Sequence, residues 1–147
     1  MAVKVGGLGR RVAYGALFVL VWPAVLVVLS ARVQVPVSAP HAPVAGAVLA
    51  AAGLALLVAG VWGIVARGHG LPMNAFPPRD LVTTGAFALV PHPIYVGFCL
   101  ACGGVALAMG SAGGLYVATP VAAVGCVALV LGHERRSLLA RFGRLPR

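Results

Sequence analysis

Val44 to Ala66 reads VAGAVLAAAGLALLVAGVWGIVA, twenty-three residues without an ionisable side chain or a proline. At about 1.5 Å per residue such a helix is roughly 34 Å long, enough to cross a hydrocarbon core of about 30 Å with some tilt. Working outward, the chain holds three more runs of the same kind. Val12 to Leu29 is uncharged and preceded by Lys4, Arg10 and Arg11; Pro93 to Gly110 and Gly114 to Leu131 flank a tight uncharged turn. The rest of the composition agrees. Of 147 residues 61% are hydrophobic and 9% charged, with a mean hydropathy of +1.04. A soluble domain carries about 25% charged residues to cover its surface, and a disordered chain needs low hydrophobicity. Both classes are excluded, and the fold class expected is all-α.

The expected architecture is a single integral membrane domain over residues 1–147 with about four transmembrane helices. The spans fall at about 12–31, 44–66, 93–110 and 114–131, with a polar loop at 67–85 and a short basic tail at 133–147. The first run is longer than a secretory signal core and no small-residue cleavage site follows it promptly, so it reads as a retained helix. Pro23 within it is expected to kink it. Charge orients the bundle. With four spans and both termini cytoplasmic, Lys4, Arg10, Arg11, Arg67, Arg79, Arg135, Arg136, Arg141, Arg144 and Arg147 lie inside and only Arg32 lies outside. The formal net charge of +9 and pI near 11.2 therefore reflect topology and anionic headgroups. No basic run is interleaved with aromatics, so no nucleic-acid partner is expected.

Along the second span Ala47, Ala51, Ala55, Ala59 and Gly63 recur every fourth residue, a ladder of small side chains through which helices pack closely. A four-residue step drifts about 40° per turn, so at most two or three rungs share one contact. Cys99, Cys102 and Cys126 lie inside apolar runs with no second Cys pair, and read as buried, inert thiols; no metal site is expected.

Antiparallel third and fourth spans bring the start of one beside the end of the other. His92, Tyr95 and Glu134 then meet at the cytoplasmic face next to the 67–85 loop, where Asp80 also lies. Both acidic residues of the protein belong to that neighbourhood, and rare ionisable groups gathered at one membrane face point to a site. Taken singly, each has a plainer role: Glu134 beside Arg135 and Arg136 as an interfacial ion pair, His92 between prolines as a turn residue, Tyr95 as an interfacial anchor.

An ordered set of motifs runs through the same region: Leu81-Val82-Thr83-Thr84-Gly85-Ala86-Phe87, then His92-Pro93-Ile94-Tyr95-Val96-Gly97, then Glu134 ahead of Phe142-Gly143. This set resembles the membrane methyltransferases related to isoprenylcysteine carboxyl methyltransferase, a group that includes phospholipid N-methyltransferases. Gly68-His69-Gly70 and Pro77-Pro78-Arg79 also resemble the loop of small bacterial members. The resemblance covers about Arg67 to Gly143. It implies S-adenosylmethionine as the methyl donor, bound at the cytoplasmic face of a bacterial-type cell membrane. A small lipophilic or lipid acceptor would enter sideways from the bilayer. Carried over, the residues lining the donor are Arg79, Asp80, Leu81, Val82, Phe87, His92, Pro93, Ile94, Tyr95 and Glu134.

Methyl transfer is an in-line displacement at a sulfonium, so orientation and exclusion of water supply most of the catalysis. A carboxylate such as Glu134 suits the donor's ammonium group, and N–H groups opening the third span suit its carboxylate. A carboxylate acceptor needs no base. An amine acceptor must lose a proton, and His92 is the local candidate, hence the catalytic assignment.

The chain departs from the family pattern in four places. Pro91 stands where an arginine precedes the histidine, and Arg135 where a second glutamate follows the first. Val130 replaces an arginine that contacts substrate in the prenylcysteine enzymes, which argues against that substrate. The sequence after Gly143 is shorter than the family's, so a low rate is expected. Two readings follow: a membrane methyltransferase using S-adenosylmethionine, or a catalytically inactive relative acting as a cofactor-binding or scaffolding protein. A small proton-coupled exporter is set aside, because none of the four runs carries an ionisable residue deep in a span.

Overall fold

The computed structural model describes residues 21–68 and 81–143, and every described element is helical. The helices are α1 (Trp22–Arg32), α2 (Pro43–Arg67), the single turn α3 (Ala86–Leu89), α4 (Pro93–Met109), α5 (Thr119–Leu129) and α6 (Arg135–Phe142). Two π-helical segments, Gly114–Ala118 and Val130–Glu134, join α5 to the turn before it and to α6 after it. The last run thus continues well past Leu131, where the sequence reading ends the fourth span. The first part of the expected first span, Lys4, Arg10, Arg11, most of the 67–85 loop with Arg79 and Asp80, and the last four residues lie outside the described residues.

Proline sets where two of these helices begin. Pro43 and Pro93 each occupy the first turn of their helix, where a missing N–H costs nothing. Pro120 lies inside an otherwise continuous helical run, and the backbone accommodates it by the π-helical segment just before it. Thr119 Oγ1 donates to the Gly114 carbonyl at 2.9 Å, the same carbonyl that the Thr119 N–H reaches, so the residue before the proline is tied twice to the start of the π-helical segment. Glycine ends α4. Gly110 adopts φ 63°, Ser111 N–H reaches Ala106 O at 2.9 Å, and Gly110 N–H reaches Leu107 O at 3.3 Å, the bonding of a Schellman cap. Ser111 then opens the next run, its Oγ accepting the Gly114 N–H at 3.0 Å.

Among the described residues two helices are long and apolar enough to cross a membrane: Pro43–Arg67, with mean hydropathy 2.4, and Gly114–Gly132, with 2.1. Trp22–Arg32 and Pro93–Met109 are apolar but shorter. Only about a fifth of each long apolar window is buried, and Val44, Val48, Val58, Trp62, Val124 and Val127 are all more than half exposed. A core helix of a soluble protein hides such residues. Apolar helices with apolar outer faces fit a lipid surround, and no charged or polar residue is buried among the described residues.

Successive helical runs alternate in direction. Gly46 meets Gly104 and Ala108, Gly53 meets Gly97 and Ala101, and Gly60 meets Pro93 and Ile94, so α2 and α4 are antiparallel. A Cβ on Gly53 would stand 2.5 Å from Ala101 N and 2.7 Å from Gly97 O; one on Gly97 would stand 2.5 Å from Gly53 O. Only hydrogen fits there. Backbones at that distance gain dispersion contacts and direct Cα–H groups at facing carbonyls, which is how helices associate where lipid removes the hydrophobic drive. The ladder expected at Ala47, Ala51, Ala55 and Ala59 is not the interface: all four are exposed, and of that set only Gly63 is buried. The contact face repeats every seventh residue instead.

On the other side of α4, α1 packs against the last run. Trp22 lies over Gly125, while the Ser30 and Val33 carbonyls lie over Gly113, an antiparallel pairing around Leu26, Ala118 and Ala122. His41 covers Gly110, and Ala42 N–H bonds Leu107 O at 3.2 Å. The 33–42 connection and the 110–113 turn therefore share one end of the bundle. The end of α2 and the start of α4 share the other.

Candidate functional site

Arg67, the last residue of α2, donates from its guanidinium to Thr84 Oγ1 at 2.8 Å. The same guanidinium lies against Gly85, whose φ of 67° is a left-handed conformation that a side chain would strain, and whose added Cβ would stand 2.6 Å from Arg67 Nη1. The turn so fixed aims α3 back at α2. Phe87 is buried against Gly63, its ring 3.4 Å from where a Cβ would be, and Val82 is buried at the same place. Leu81 is half-buried beside them. The lead-in segment is thus docked onto the end of α2, one short turn before His92.

His92 caps α4 with φ −131° and ψ 66°. The helical period then divides the motif. Pro93 is fully buried and, with Ile94, faces Gly60 of α2. His92 and Tyr95, three residues apart and hence on one face, turn to the opposite side, their ring centroids 6.2 Å apart at 45°. Both open onto an apolar groove of about 640 Å³ between α4 and the last helical run. Cys99 and Gly103 continue the α4 wall; Thr119, Cys126, Val130 and Leu131 form the other, and Leu49 of α2 contributes. The groove is not enclosed.

Val130 and Leu131 belong to the π-helical segment that Glu134 closes. The backbone at Glu134 therefore lies about one turn beyond groove-lining residues, at the end of the groove that His92 and Tyr95 occupy. A π-helical insertion in a helix is frequently found at functional sites, since it re-aims the residues of a single turn. Of the sequence-derived site residues, Leu81, Val82, Phe87, His92, Pro93, Ile94 and Tyr95 thus gather at one end of the bundle, with the Glu134 backbone on the facing helix. Arg79 and Asp80 lie outside the described residues.

Several features carry no motif and were invisible in the sequence: the Arg67–Thr84 bond, the groove wall from Thr119 to Leu131, and the approach of Cys99 to Cys126. Gly85 ahead of an apolar turn is the one local signal for the first. Cys99 and Cys102 are half-buried rather than enclosed, and only Cys126 is buried.

The donor set suits S-adenosylmethionine. Backbone N–H groups at the start of α4 match a carboxylate, and the aromatic and apolar side chains gathered there match the remainder. Comparison with known families agrees with this chemistry: the phospholipid methyltransferase family model matches residues 42–143. No curated protein and no solved structure matches the chain. The matched stretch runs from α2 to α6 and takes in the whole corner just described. The chain belongs to the phospholipid methyltransferase family.

Proposed function

We propose that this phospholipid methyltransferase family member transfers the methyl group of S-adenosylmethionine to a lipid or small lipophilic acceptor. Transfer takes place where the start of α4 faces the end of the last helical run. The observation that carries the reading is the groove of about 640 Å³, with His92 and Tyr95 at one end and an almost wholly apolar length behind them. An acceptor can lay its chain along such a groove and present its polar head to the two rings. S-adenosylmethionine, when bound, supplies an electrophilic methyl on a sulfonium.

The protein's own work is placement. Glu134 holds the donor's ammonium end, the Ile94 and Tyr95 N–H groups hold its carboxylate end, and Val82 and Phe87 fix the lead-in segment that covers it. Arg79, Asp80 and Leu81 complete that cover. His92 takes the proton from an amine acceptor; for a carboxylate acceptor it only shapes the pocket. Apolar walls exclude water, so that methyl transfer to water does not compete.

In this reading the chain is a single domain of four spans with both termini and the site cytoplasmic. The alternating helix directions and the bias of positive charge support it. In a cysteine-free version, single cysteines at Ser38 and Ser137 should react with an impermeant thiol reagent from opposite faces of sealed vesicles. Labelling of both from one face would remove the shared corner of His92 and Glu134.

The deciding experiment is turnover. Membranes containing the protein, given labelled S-adenosylmethionine and native lipid extract, should place label in the organic-extractable lipid fraction, and His92→Ala should lower that rate by about 10²-fold or more for an amine acceptor. A second reading, an inactive relative that binds the donor and scaffolds, is favoured by Pro91 and Arg135, which replace residues of the family pattern. Clear donor binding without labelled lipid would establish that reading and defeat the first.

A further inference from the structure

Cys99 on α4 and Cys126 on α5 are twenty-seven positions apart in sequence, yet their sulfurs are 3.9 Å apart, with the Cys99 thiol donating to Cys126 Sγ. Both line the groove. We propose that this pair is a reversible cross-linking site: a lipid hydroperoxide oxidises it to a disulfide that ties α4 to α5 across the acceptor groove.

Three observations favour a bond between these two and no others. The sulfurs are already in contact, and about 2 Å of approach brings them to bonding distance. The approach is unobstructed, because the groove separates α4 from α5, whereas α4 and α2 are locked backbone to backbone through Gly53 and Gly97. Closure therefore moves α5 towards α4, together with the α1 helix packed on it. Cys102 lies one turn further along α4 and lines a different cavity, with Phe98 and Leu26, towards α1. It is excluded from the pair by the fold.

The position also selects the oxidant. The groove is not enclosed, its lining is almost wholly apolar and its walls are apolar helices, which suits a hydroperoxide carried on a lipid chain. Half-buried Cys99 is the more accessible sulfur, and Cys126 stands behind it. The Cys99 sulfur attacks the terminal peroxide oxygen. The O–O bond breaks, the lipid leaves as an alcohol carrying the Cys99 proton, and Cys99 becomes a sulfenic acid. Cys126 sulfur then displaces the sulfenic oxygen, which departs as water with the Cys126 proton. Two thiols are oxidised by two electrons and one hydroperoxide is reduced to an alcohol. A thiol reductant reverses the bond by exchange.

Joining the walls narrows the groove between Tyr95 and Thr119. Resting on the methyltransferase reading, this makes the pair a sensor through which damaged lipid stops methylation of lipid. Donor binding, at the His92 end of the groove about one turn beyond the cross-link, stays intact.

The test uses the full-length protein in phospholipid vesicles, treated with cumene hydroperoxide, unfolded, and mass-tagged with a maleimide. The three cysteines of the wild type should give one tag after oxidation and three again after dithiothreitol. Peptide mapping should find Cys99 joined to Cys126. Cys102→Ser should fall from two tags to none, while Cys99→Ser and Cys126→Ser should keep two. Three tags persisting, links between separate chains, or losses that dithiothreitol does not restore would each overturn the site. The wild-type map decides even where a variant folds poorly.

Oxidised protein should then lose transfer to lipid by at least about ten-fold, since small displacements beside the reacting groups cost that much. Its affinity for S-adenosylmethionine should be unchanged. A cross-link that leaves transfer untouched refutes the sensor. Absence of transfer in the reduced protein refutes the methyltransferase reading and leaves the cross-link standing.

Discussion

Replacing Gly53 by leucine should unfold the α2–α4 pair. The first side-chain carbon alone would lie 2.5 Å from Ala101 N and 2.7 Å from Gly97 O, and both are backbone atoms that no rotamer change can move aside. The helices must separate, and separation lifts Gly46 and Gly60 from their partners in the same step. Overpacking a core costs about 1–3 kcal/mol where side chains can adjust. Here they cannot, so about 3 kcal/mol is a lower bound, set against a stability of about 5–15 kcal/mol for a typical domain. At about 2–4 °C per kcal/mol for a chain of this size, the thermal midpoint in detergent should fall by about 6–12 °C or more. Gly53→Ala is the sharper version: on an exposed helix it gains up to about 1 kcal/mol of propensity, so a loss isolates the steric term. Ala51→Leu, on the exposed face of the same helix, should change the midpoint little. Equal effects at Gly53 and Ala51 would mean that α2 does not meet α4 through its glycines.

That contrast also marks how far the sequence could be read. Two of the apolar runs announce helices of membrane length by composition alone, and Pro43, Pro93 and Gly110 fix helix ends by chemistry that needs no partner. Which face of α2 is the interface is another matter. Alanine every fourth residue and glycine every seventh are both small-residue patterns in the same helix, and abundance favours noticing alanine. The difference is angular. A four-residue step turns about 40° away per rung, whereas a seven-residue step drifts only about 20° per rung. Gly46, Gly53 and Gly60 therefore keep one face through three contacts, and three is the number the structure shows. Period, weighed before residue type, would have found them.

The shared face of His92 and Tyr95 was legible for a similar reason. His92 and Tyr95 share a face because three residues make nearly one helical turn, and antiparallel order carries the chain end of α5 back to them. The groove was not legible. It exists because α4 packs tightly on α2 and loosely on α5, a difference set by glycines on one side and by Val96, Cys99, Cys126 and Val130 on the other. Volumes left between helices depend on residues far apart in sequence, and no local pattern encodes them. Pro120 shows the same limit: a proline within a span announces a break in the regular ladder, whereas its form, a π-helical segment over Gly114–Ala118, is set by packing that no local pattern encodes.

Glu134→Gln should weaken S-adenosylmethionine binding by roughly 10- to 150-fold, the equivalent of one charge-assisted hydrogen bond of about 1.5–3 kcal/mol. Glutamine preserves shape and hydrogen-bonding reach, so the change removes charge alone. The effect should be specific to the donor's ammonium group: S-adenosylhomocysteine, which keeps that group, should lose affinity in parallel, while an analogue lacking it should bind wild type and variant alike. Protein yield and thermal midpoint should stay near wild type, because a helix-end ion pair with Arg135 or Arg136 contributes at most about 1 kcal/mol. Those two arginines frame the alternative. If Glu134 serves only to balance them at the membrane face, its charge is screened by salt and headgroups, and the variant binds the donor as tightly as wild type. Position argues for the first outcome. Glu134 is one of two acidic residues in the protein, and it closes a π-helical turn whose Val130 and Leu131 already line the groove with His92 and Tyr95. An ion pair needs no such turn, whereas a carboxylate committed to a bound cation must be held at one register against the start of α4.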